Sequence, residues 1–241
     1  MRRYGLIGKQ LGHSLSKELF DGQGFDAAEY MLQEMSSLDG LRRWVEAEGI
    51  RGFNVTIPYK REIIPLLDAM DDTAAEIGAV NCVSVEHGYL MGHNTDAEAF
   101  ADTFWPLDKD TLCLILGTGG AARAVGHALR NKGYRHLYVS RTPEAAQVRP
   151  TTGYEEALRM IDGKVAVINA TPVGMHPNSS DTPLPLTTIR RPLPDLHVYD
   201  LVYNPAETRL MREATALGAR AKNGLDMLRR QAELSWAIWG L

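Results

Sequence analysis

Leu112-Cys-Leu-Ile-Leu116 runs directly into Gly117-Thr118-Gly119-Gly120-Ala121-Ala122. The apolar run reads as a buried strand, and Gly120 to Asn131 reads as the helix after it, ending at Gly133. Gly117, Gly119 and Ala122 fit G-x-G-x-x-G/A, the loop that opens a dinucleotide-binding βα unit. Each position has a physical task. Gly117 makes the tight turn, Gly119 lets backbone approach a pyrophosphate, and Ala122 keeps helix and strand close. The helix N-terminus then faces the anion. A plain strand–helix turn would also use small residues, but a strand before and a helix after favour the dinucleotide reading.

The next strand, His136 to Val139, ends at Ser140-Arg141-Thr142, about where such a fold selects its ribose. An NAD site wants an acid there for the 2′-hydroxyl. Arg141 instead offers a fork of donors suited to a 2′-phosphate, which favours NADP. Glu144 lies just beyond. Val165 to Asn169 and His197 to Leu201 read as further strands. Strand alternating with helix implies a parallel sheet covered on both faces.

Upstream, the predicted strands are Arg2 to Gly8, Glu29 to Met35 and Gly52 to Ile57. Predicted helices start at Ser14 to Phe20 and run over Leu38 to Glu48. Pro58 opens another predicted helix, with Ile63, Ile64, Leu67 and Met70 on its apolar face. Val80 to Glu86 and Tyr89 to His93 flank His87-Gly88, a hairpin signal. Asn94-Thr95-Asp96 precedes a helical run, Ala97 to Phe104, which Trp105-Pro106-Leu107-Asp108 breaks near an expected domain boundary. A last helix, Asp226 to Trp239, has no strand partner that pattern alone identifies.

The 241 residues are 44% hydrophobic and carry 26 basic against 30 acidic side chains, mixed throughout. That is an ordinary globular composition with no basic stripe for nucleic acid. No apolar run approaches the ~20 residues of a spanning helix. Met1-Arg2-Arg3 imitates a signal-peptide start, but Lys9-Gln10 breaks the apolar stretch, so export is not expected. Cys82 and Cys113 fit no metal spacing, and Cys113 is expected in the core. The expectation is a reduced, cytoplasmic, metal-free protein with no nucleic-acid or membrane partner.

Small polar clusters sit at predicted element ends: Ser14-Leu-Ser16, Asn54-Val-Thr56 with Lys60, Asn81, and Asn94-Thr95-Asp96. Ser14 and Asp96 read equally well as helix caps. Lys60 is harder to dismiss. At the first turn of the predicted Pro58 helix, beside Arg61, its charge would oppose the dipole. A site that disfavours the ammonium lowers its pKa, which a general base requires.

Read together, these words resemble the shikimate dehydrogenase family. They are Gly12-His-Ser-Leu-Ser16, Asn54-Val-Thr-Ile-Pro-Tyr-Lys60, Gly78-Ala-Val-Asn81 and Gly92-His-Asn-Thr-Asp96, followed by Gly117-Thr-Gly-Gly-Ala-Ala-Arg123. Then come Asn169-Ala-Thr-Pro-Val-Gly-Met175, Tyr199-Asp-Leu-Val-Tyr-Asn-Pro205, Gly224-Leu-Asp-Met-Leu228 and Gln231. They occur in the family's order along nearly the whole chain.

The resemblance implies an α/β protein of two domains with a cleft between them. Residues 1–97, completed by a C-terminal helix over 225–241, would bind shikimate. Residues 98–224 would form a Rossmann-like, doubly wound domain for NADP. The implied reaction is reversible reduction of 3-dehydroshikimate to shikimate in chorismate and aromatic amino-acid biosynthesis. Lys60 and Asp96 match the catalytic pair, with the formal acid/base left open between them. Ser14 and Ser16 match serines on the substrate carboxylate. Thr56, Asn81, Tyr203 and Gln231 match contacts to the ring hydroxyls and carboxylate. Gly117, Thr118, Gly119, Gly120, Ala121, Ser140, Arg141, Thr142, Leu201 and Gly224 match cofactor positions, with Asp72 a further candidate.

The chain departs from the family pattern in having Ser140 where Asn is usual and Ala99 where Gly is usual. The first bears on the NADP reading, and the second favours helix at the link between the domains. The rival readings are an NAD-dependent quinate/shikimate dehydrogenase and a non-catalytic shikimate-binding sensor. A monomer or a homodimer is expected.

Overall fold

Residues 1–12 and 14–241 are described by a computed structural model. His13, inside the first family word, lies outside the described residues. Among the described residues the strands form two six-stranded sheets. The chain divides into two units, Met1–Ala99 with Leu228–Leu241, and Phe100–Met227.

The first unit contains β1 (Arg2–Gly8), α1 (Ser16–Asp21), β2 (Ala28–Glu34), α2 (Leu41–Glu48) and β3 (Ile50–Val55). After these come β4 (Ala69–Met70), α3 (Asp72–Ile77), β5 (Cys82–Glu86) and β6 (Tyr89–His93). The strand order is β2-β1-β3-β5-β6-β4. The β1 pairings with β2 and β3 are parallel, whereas β3–β5 and β5–β6 are antiparallel. His87 and Gly88 both take positive φ, 50° and 82°, so the expected two-residue hairpin turn joins β5 to β6.

Both faces of this sheet are covered. Ile7, Phe53, Val55 and Val83 pack with Leu41 and Val45 of α2 on one side. Tyr4, Leu6 and Tyr30 pack with Phe20 of α1 and with Ala232 and Trp236 on the other. The last two belong to α8 (Leu225–Ile238), so the final helix finds its place on the first sheet. Just beyond it, Trp239 stacks on Tyr4 at 5.0 Å and donates its Nε1–H to the Val83 carbonyl at 3.0 Å. Any side chain at Gly52 would overlap the Trp239 ring, so close approach requires glycine at that point.

One expectation fails here. The apolar spacing after Pro58 predicts a helix, yet residues 57–63 form turns and Ile64–Leu66 a single 3-10 turn. Pro65 is the physical reason: it supplies no N–H and disfavours the helical conformation of Ile64. The predicted face is still used, since Ile63 is buried and Ile64, Leu67 and Met70 pack against the same core.

α4 (Asp96–Thr103) runs from the first unit into the second. Ala99, in the usual glycine position, is fully buried within it. The second unit then contributes β7 (Leu112–Leu116), α5 (Gly120–Asn131), β8 (Arg135–Val139), β9 (Thr151–Thr152) and α6 (Tyr154–Arg159). These are followed by β10 (Val165–Asn169), β11 (Leu196–Asp200), α7 (Arg209–Ala216) and β12 (Arg220–Lys222). The order is β12-β11-β10-β7-β8-β9, and every pairing is parallel. Counted within the unit this is 3-2-1-4-5-6, the doubly wound Rossmann order, with its reversal between β7 and β10.

Helix α5 lies close on the second sheet because Gly126 faces Tyr138 of β8. A Cβ there would overlap the Tyr138 hydroxyl. The small residue that sets this approach is thus Gly126, in addition to the buried Ala122. Gly126→Ala brings helix propensity worth about 1 kcal/mol, against an overpacking cost of about 1–3 kcal/mol. Net destabilisation in urea denaturation is expected, only partly relieved by adding Tyr138→Phe, whose Cζ would still stand 2.6 Å from the new Cβ, and more fully by Tyr138→Leu. Stabilisation by the single substitution would show that the packing is loose.

Candidate functional site

The first unit gathers a polar layer at the ends of β3, β5 and β6. Asn94 follows β6 and is buried. Its Nδ2 donates to the Ala79 carbonyl at 2.8 Å, and its Oδ1 accepts the Ala97 N–H at 3.2 Å. Asn94 therefore caps α4. That corrects the reading of Asp96 as a cap: Asp96 is the first residue of the helix, and its carboxylate is released for other partners. Its place in the first turn also suits a negative charge.

Those partners are Lys60 and Asn81. Lys60 Nζ lies 2.6 Å from Asp96 Oδ2, with side-chain exposures of 16% and 6%. Asn81 Nδ2 donates to Asp96 Oδ1 at 3.0 Å and to Thr95 Oγ1 at 2.8 Å. Asn81 Oδ1 accepts the Thr95 N–H at 2.7 Å. Gln231, on α8, brings its Oε1 to 3.3 Å from Asn81 Nδ2 and donates to the Leu228 carbonyl at 2.9 Å. The Lys60 carbonyl accepts the Val80 N–H at 2.7 Å, which pins the lysine backbone beside Asn81. Because Lys60 lies in a turn and not in a helix, no helix dipole opposes its charge. The charge that governs Lys60 is the Asp96 carboxylate.

The structure thus joins Lys60, Asn81, Asp96 and Gln231 by hydrogen bonds. Ser14 and Ser16 form their own pair, with Ser14 Oγ donating to Ser16 Oγ at 3.1 Å and accepting the Ser16 N–H at 3.2 Å. Thr56, at the end of β3, is half-buried and presses its methyl against Gly8. Asp72 is exposed at the first turn of α3. Three further buried residues join the cluster: Asn54, named in the sequence only as part of a polar group, and Tyr30 and Ser235, to which the sequence assigns no role. One signal pointed to Ser235: it stands four residues after Gln231, on the same face of the final helix.

In the second unit the loop after β7 has the form a phosphate cradle requires. Gly117 sits at φ +107°, where a side chain is strained. A Cβ on Gly119 would meet no atom within 4 Å, so the protein itself leaves that space open. No side chain caps the start of α5, whose first N–H groups face the loop. After β8, Ser140 Oγ accepts the Thr142 N–H at 3.1 Å, and Arg141 is exposed between them. A Cβ on Gly224 would overlap the Leu201 carbonyl, and the Gly224 N–H reaches the Val202 carbonyl at 3.2 Å. Leu201 and Gly224 are thereby held together, while Tyr203 is half-buried nearby in sequence. An open glycine loop, uncapped helix N–H groups and an exposed guanidinium after the second strand fit a dinucleotide with a 2′-phosphate. Among the described residues no group of His, Cys, Asp or Glu could hold a metal ion, and no helix is long and apolar enough to cross a membrane.

A family model for the shikimate dehydrogenase substrate binding domain matches residues 6–83. A protein of Shouchella clausii named shikimate dehydrogenase (NADP(+)) is 38% identical, over 99% of this chain and 92% of its own. The solved structure of shikimate dehydrogenase 1 from Peptoclostridium difficile superposes with a TM-score of 0.86 at 34% identity, covering 100% of this chain and 92% of that one. The shikimate 5-dehydrogenase of Thermus thermophilus, solved in complex with NADP(H) and shikimate, gives 0.84 at 33% identity, covering 100% and 94%.

Asp200, at the end of β11, is fully buried in the second unit. Burial pushes its carboxyl up to about 6, although Thr208, the Val202 N–H and Asn169 all donate to it. The folded value lies above the unfolded one. This contribution to stability is therefore full below about pH 4 and is lost as pH rises through about 6. Relative to Asp200→Asn, the wild type is expected to be more stable at pH 4 than at pH 7. The change in that difference is up to about 3 kcal/mol at 1.36 kcal/mol per pH unit. Denaturant unfolding of both proteins at the two pH values measures it, and a pH-independent difference would contradict the shift.

Proposed function

This chain belongs to the shikimate dehydrogenase family, and we propose that it catalyses the reversible, NADPH-dependent reduction of 3-dehydroshikimate to shikimate. The observation that carries the mechanism is the Lys60–Asp96 ion pair, 2.6 Å long and nearly closed to solvent. Residues 1–97 with 225–241 form the shikimate-binding part, and residues 98–224 the NADP-binding part. The chain acts in the cytoplasm, as a monomer or homodimer.

Bound NADPH supplies the hydride. The chain's own residues manage the proton and the pose. Both Asp96 carboxylate oxygens are engaged, one by Lys60 and one by Asn81. The Lys60 ammonium has three donors and places one on Asp96, which leaves two for the substrate oxygen. Lys60 is thus the group suited to give a proton as the carbonyl oxygen gains charge, and to take one back in the reverse direction. Asp96 holds the ammonium in line and balances its charge. Ser14 and Ser16 present two hydroxyls to the carboxylate of the acid. Thr56, Asn81, Tyr203 and Gln231 address its ring hydroxyls and carboxylate. A small polyhydroxy acid needs many donors and acceptors, and these are the residue types that supply them.

Gly117, Thr118, Gly119, Gly120 and Ala121 would take the pyrophosphate, with Ser140, Arg141 and Thr142 on the 2′-phosphate. Leu201 and Gly224 would line the nicotinamide end, and Asp72 is a further candidate contact. The Shouchella clausii relative's name specifies NADP(+), which favours that cofactor over NAD, and the chain keeps both Lys60 and Asp96, which favours an enzyme over a sensor.

Nicotinamide absorbance in a two-by-two assay, shikimate or quinate against NADP or NAD, is expected to give activity concentrated in the shikimate–NADP cell. Comparable rates with quinate and NAD would displace the reading, and no rate in any cell would leave the sensor. Lys60→Ala is expected to lower kcat by about 10²- to 10⁴-fold, as for loss of a general acid–base group, with little change in KM for NADP. Arg141→Ala is expected to weaken NADP about 10- to 100-fold through loss of a charge-assisted bond. NAD binding should barely change. Equal losses for both cofactors would remove Arg141 from the 2′-phosphate.

A further inference from the structure

We infer that Tyr30 and Ser235 are positioning residues: a chain of buried hydrogen bonds running from the Tyr30 hydroxyl through Asn54 and Ser235 holds the Thr95 hydroxyl, on which the Asn81 amide is seated beside Asp96. The inference rests on the reading of Lys60 and Asp96 as the proton-handling pair.

The direction of the chain follows from counting donors and acceptors. Tyr30 O–H donates to Asn54 Oδ1 at 2.8 Å. The Asn81 backbone carbonyl, which can only accept, settles the Asn54 amide: its Nδ2 donates there at 3.2 Å and to Ser235 Oγ at 2.8 Å, and its Oδ1 is left for the Tyr30 O–H. Ser235 has one proton and gives it to the Gln231 carbonyl at 2.8 Å. At the 3.4 Å contact between Thr95 Oγ1 and Ser235 Oγ, Thr95 is therefore the donor. With its proton committed, Thr95 Oγ1 accepts from Asn81 Nδ2 at 2.8 Å. The same Nδ2 serves Asp96 Oδ1 at 3.0 Å. Every link is left with one orientation.

Burial makes the chain strict. Tyr30 is 1% exposed, Ser235 0% and Asn81 2%, so water cannot substitute for a missing partner. Burial, with Cys82 nearby, pushes the Tyr30 hydroxyl well above its ordinary value and keeps it a donor. An Asn81 amide turned over would present Oδ1 to the Asp96 carboxylate and its N–H groups to the Thr95 N–H, losing both contacts. The origin of the chain is also well held, since the Tyr30 ring packs 4.9 Å from Phe20.

The test uses Tyr30→Phe, Ser235→Ala, the double variant and Lys60→Ala, all in the full chain, with shikimate oxidation by NADP as readout. Tyr30→Phe keeps the ring and removes only the first donor. It is expected to lower kcat about 10-fold, within the range misplacement of reacting groups produces. KM for shikimate should rise several-fold, and KM for NADP should stay within about twofold. Partial inactivation would change neither KM. Ser235→Ala is expected to act alike, and the double variant to cost no more than the worse single, because both cut one chain.

Wild-type kcat and KM for shikimate in Tyr30→Phe would overturn the inference, as would losses that multiply in the double variant. If Ser235→Ala does not fold, Tyr30→Phe decides alone. Loss of kcat in Lys60→Ala beside an unaffected Tyr30→Phe would remove the chain but keep the site reading. An unaffected Lys60→Ala would overturn both.

Discussion

The Asn81 side chain is the constraint on which the first unit's polar layer depends. Its carbonyl oxygen holds the Thr95 backbone, and its amide holds the Thr95 hydroxyl and the Asp96 carboxylate. One buried amide thus fixes the start of α4 in position and in rotation. Only with that start fixed can Asp96 meet Lys60, which arrives from a turn 36 residues earlier in the chain. Nothing local brings these two charges together. The sheet does so, because β5 and β6 place Asn81 and His93 side by side and the Asn81 N–H bonds the His93 carbonyl at 3.1 Å.

A buried ion pair is costly unless its remaining hydrogen-bonding capacity is met. Here both Asp96 oxygens have partners, and the residues around them donate onward without a break. The layer is therefore better read as machinery of orientation than as a source of stability. An apolar replacement of similar shape would fold as well or better, whereas loss of one partner leaves a charge stranded.

Legibility in the sequence followed how local the determining physics was. The β7–α5 turn and the β5–β6 hairpin were readable because glycine or positive φ at named positions decides them. Both appear at the expected residues: Gly120–Asn131 for the helix, and His87-Gly88 for the turn. The segment after Pro58 was misread because its apolar spacing obeys a helical period while Pro65 forbids the helix. The same misplacement removes the helix-dipole argument for Lys60, which lies in a turn. The cap remained an alternative for Asp96 because sequence cannot tell which of Asn94, Thr95 and Asp96 caps when all three could. The short α3 and α7 went unread, since each is brief and takes its support from tertiary packing. Tyr30 carries no local signal, and Ser235 only its spacing from Gln231, for a different reason: their Asn54 partner lies 24 and 181 residues away.

The glycines of the second unit sharpen this distinction. At Gly126 and Gly224 the protein's own atoms exclude a side chain, through the Tyr138 hydroxyl and the Leu201 carbonyl. Packing alone explains both. At Gly119 no atom beyond its chain neighbours stands within 4 Å of where a Cβ would be, and its φ of −77° suits any residue. Neither strain nor crowding accounts for glycine there. Yet it sits before an uncapped helix, at the end of the first strand of a doubly wound sheet, beside the point where the strand order reverses. A position that needs no glycine for its own fold, in the place where such a sheet receives a phosphate, leaves the backbone open to approach from outside.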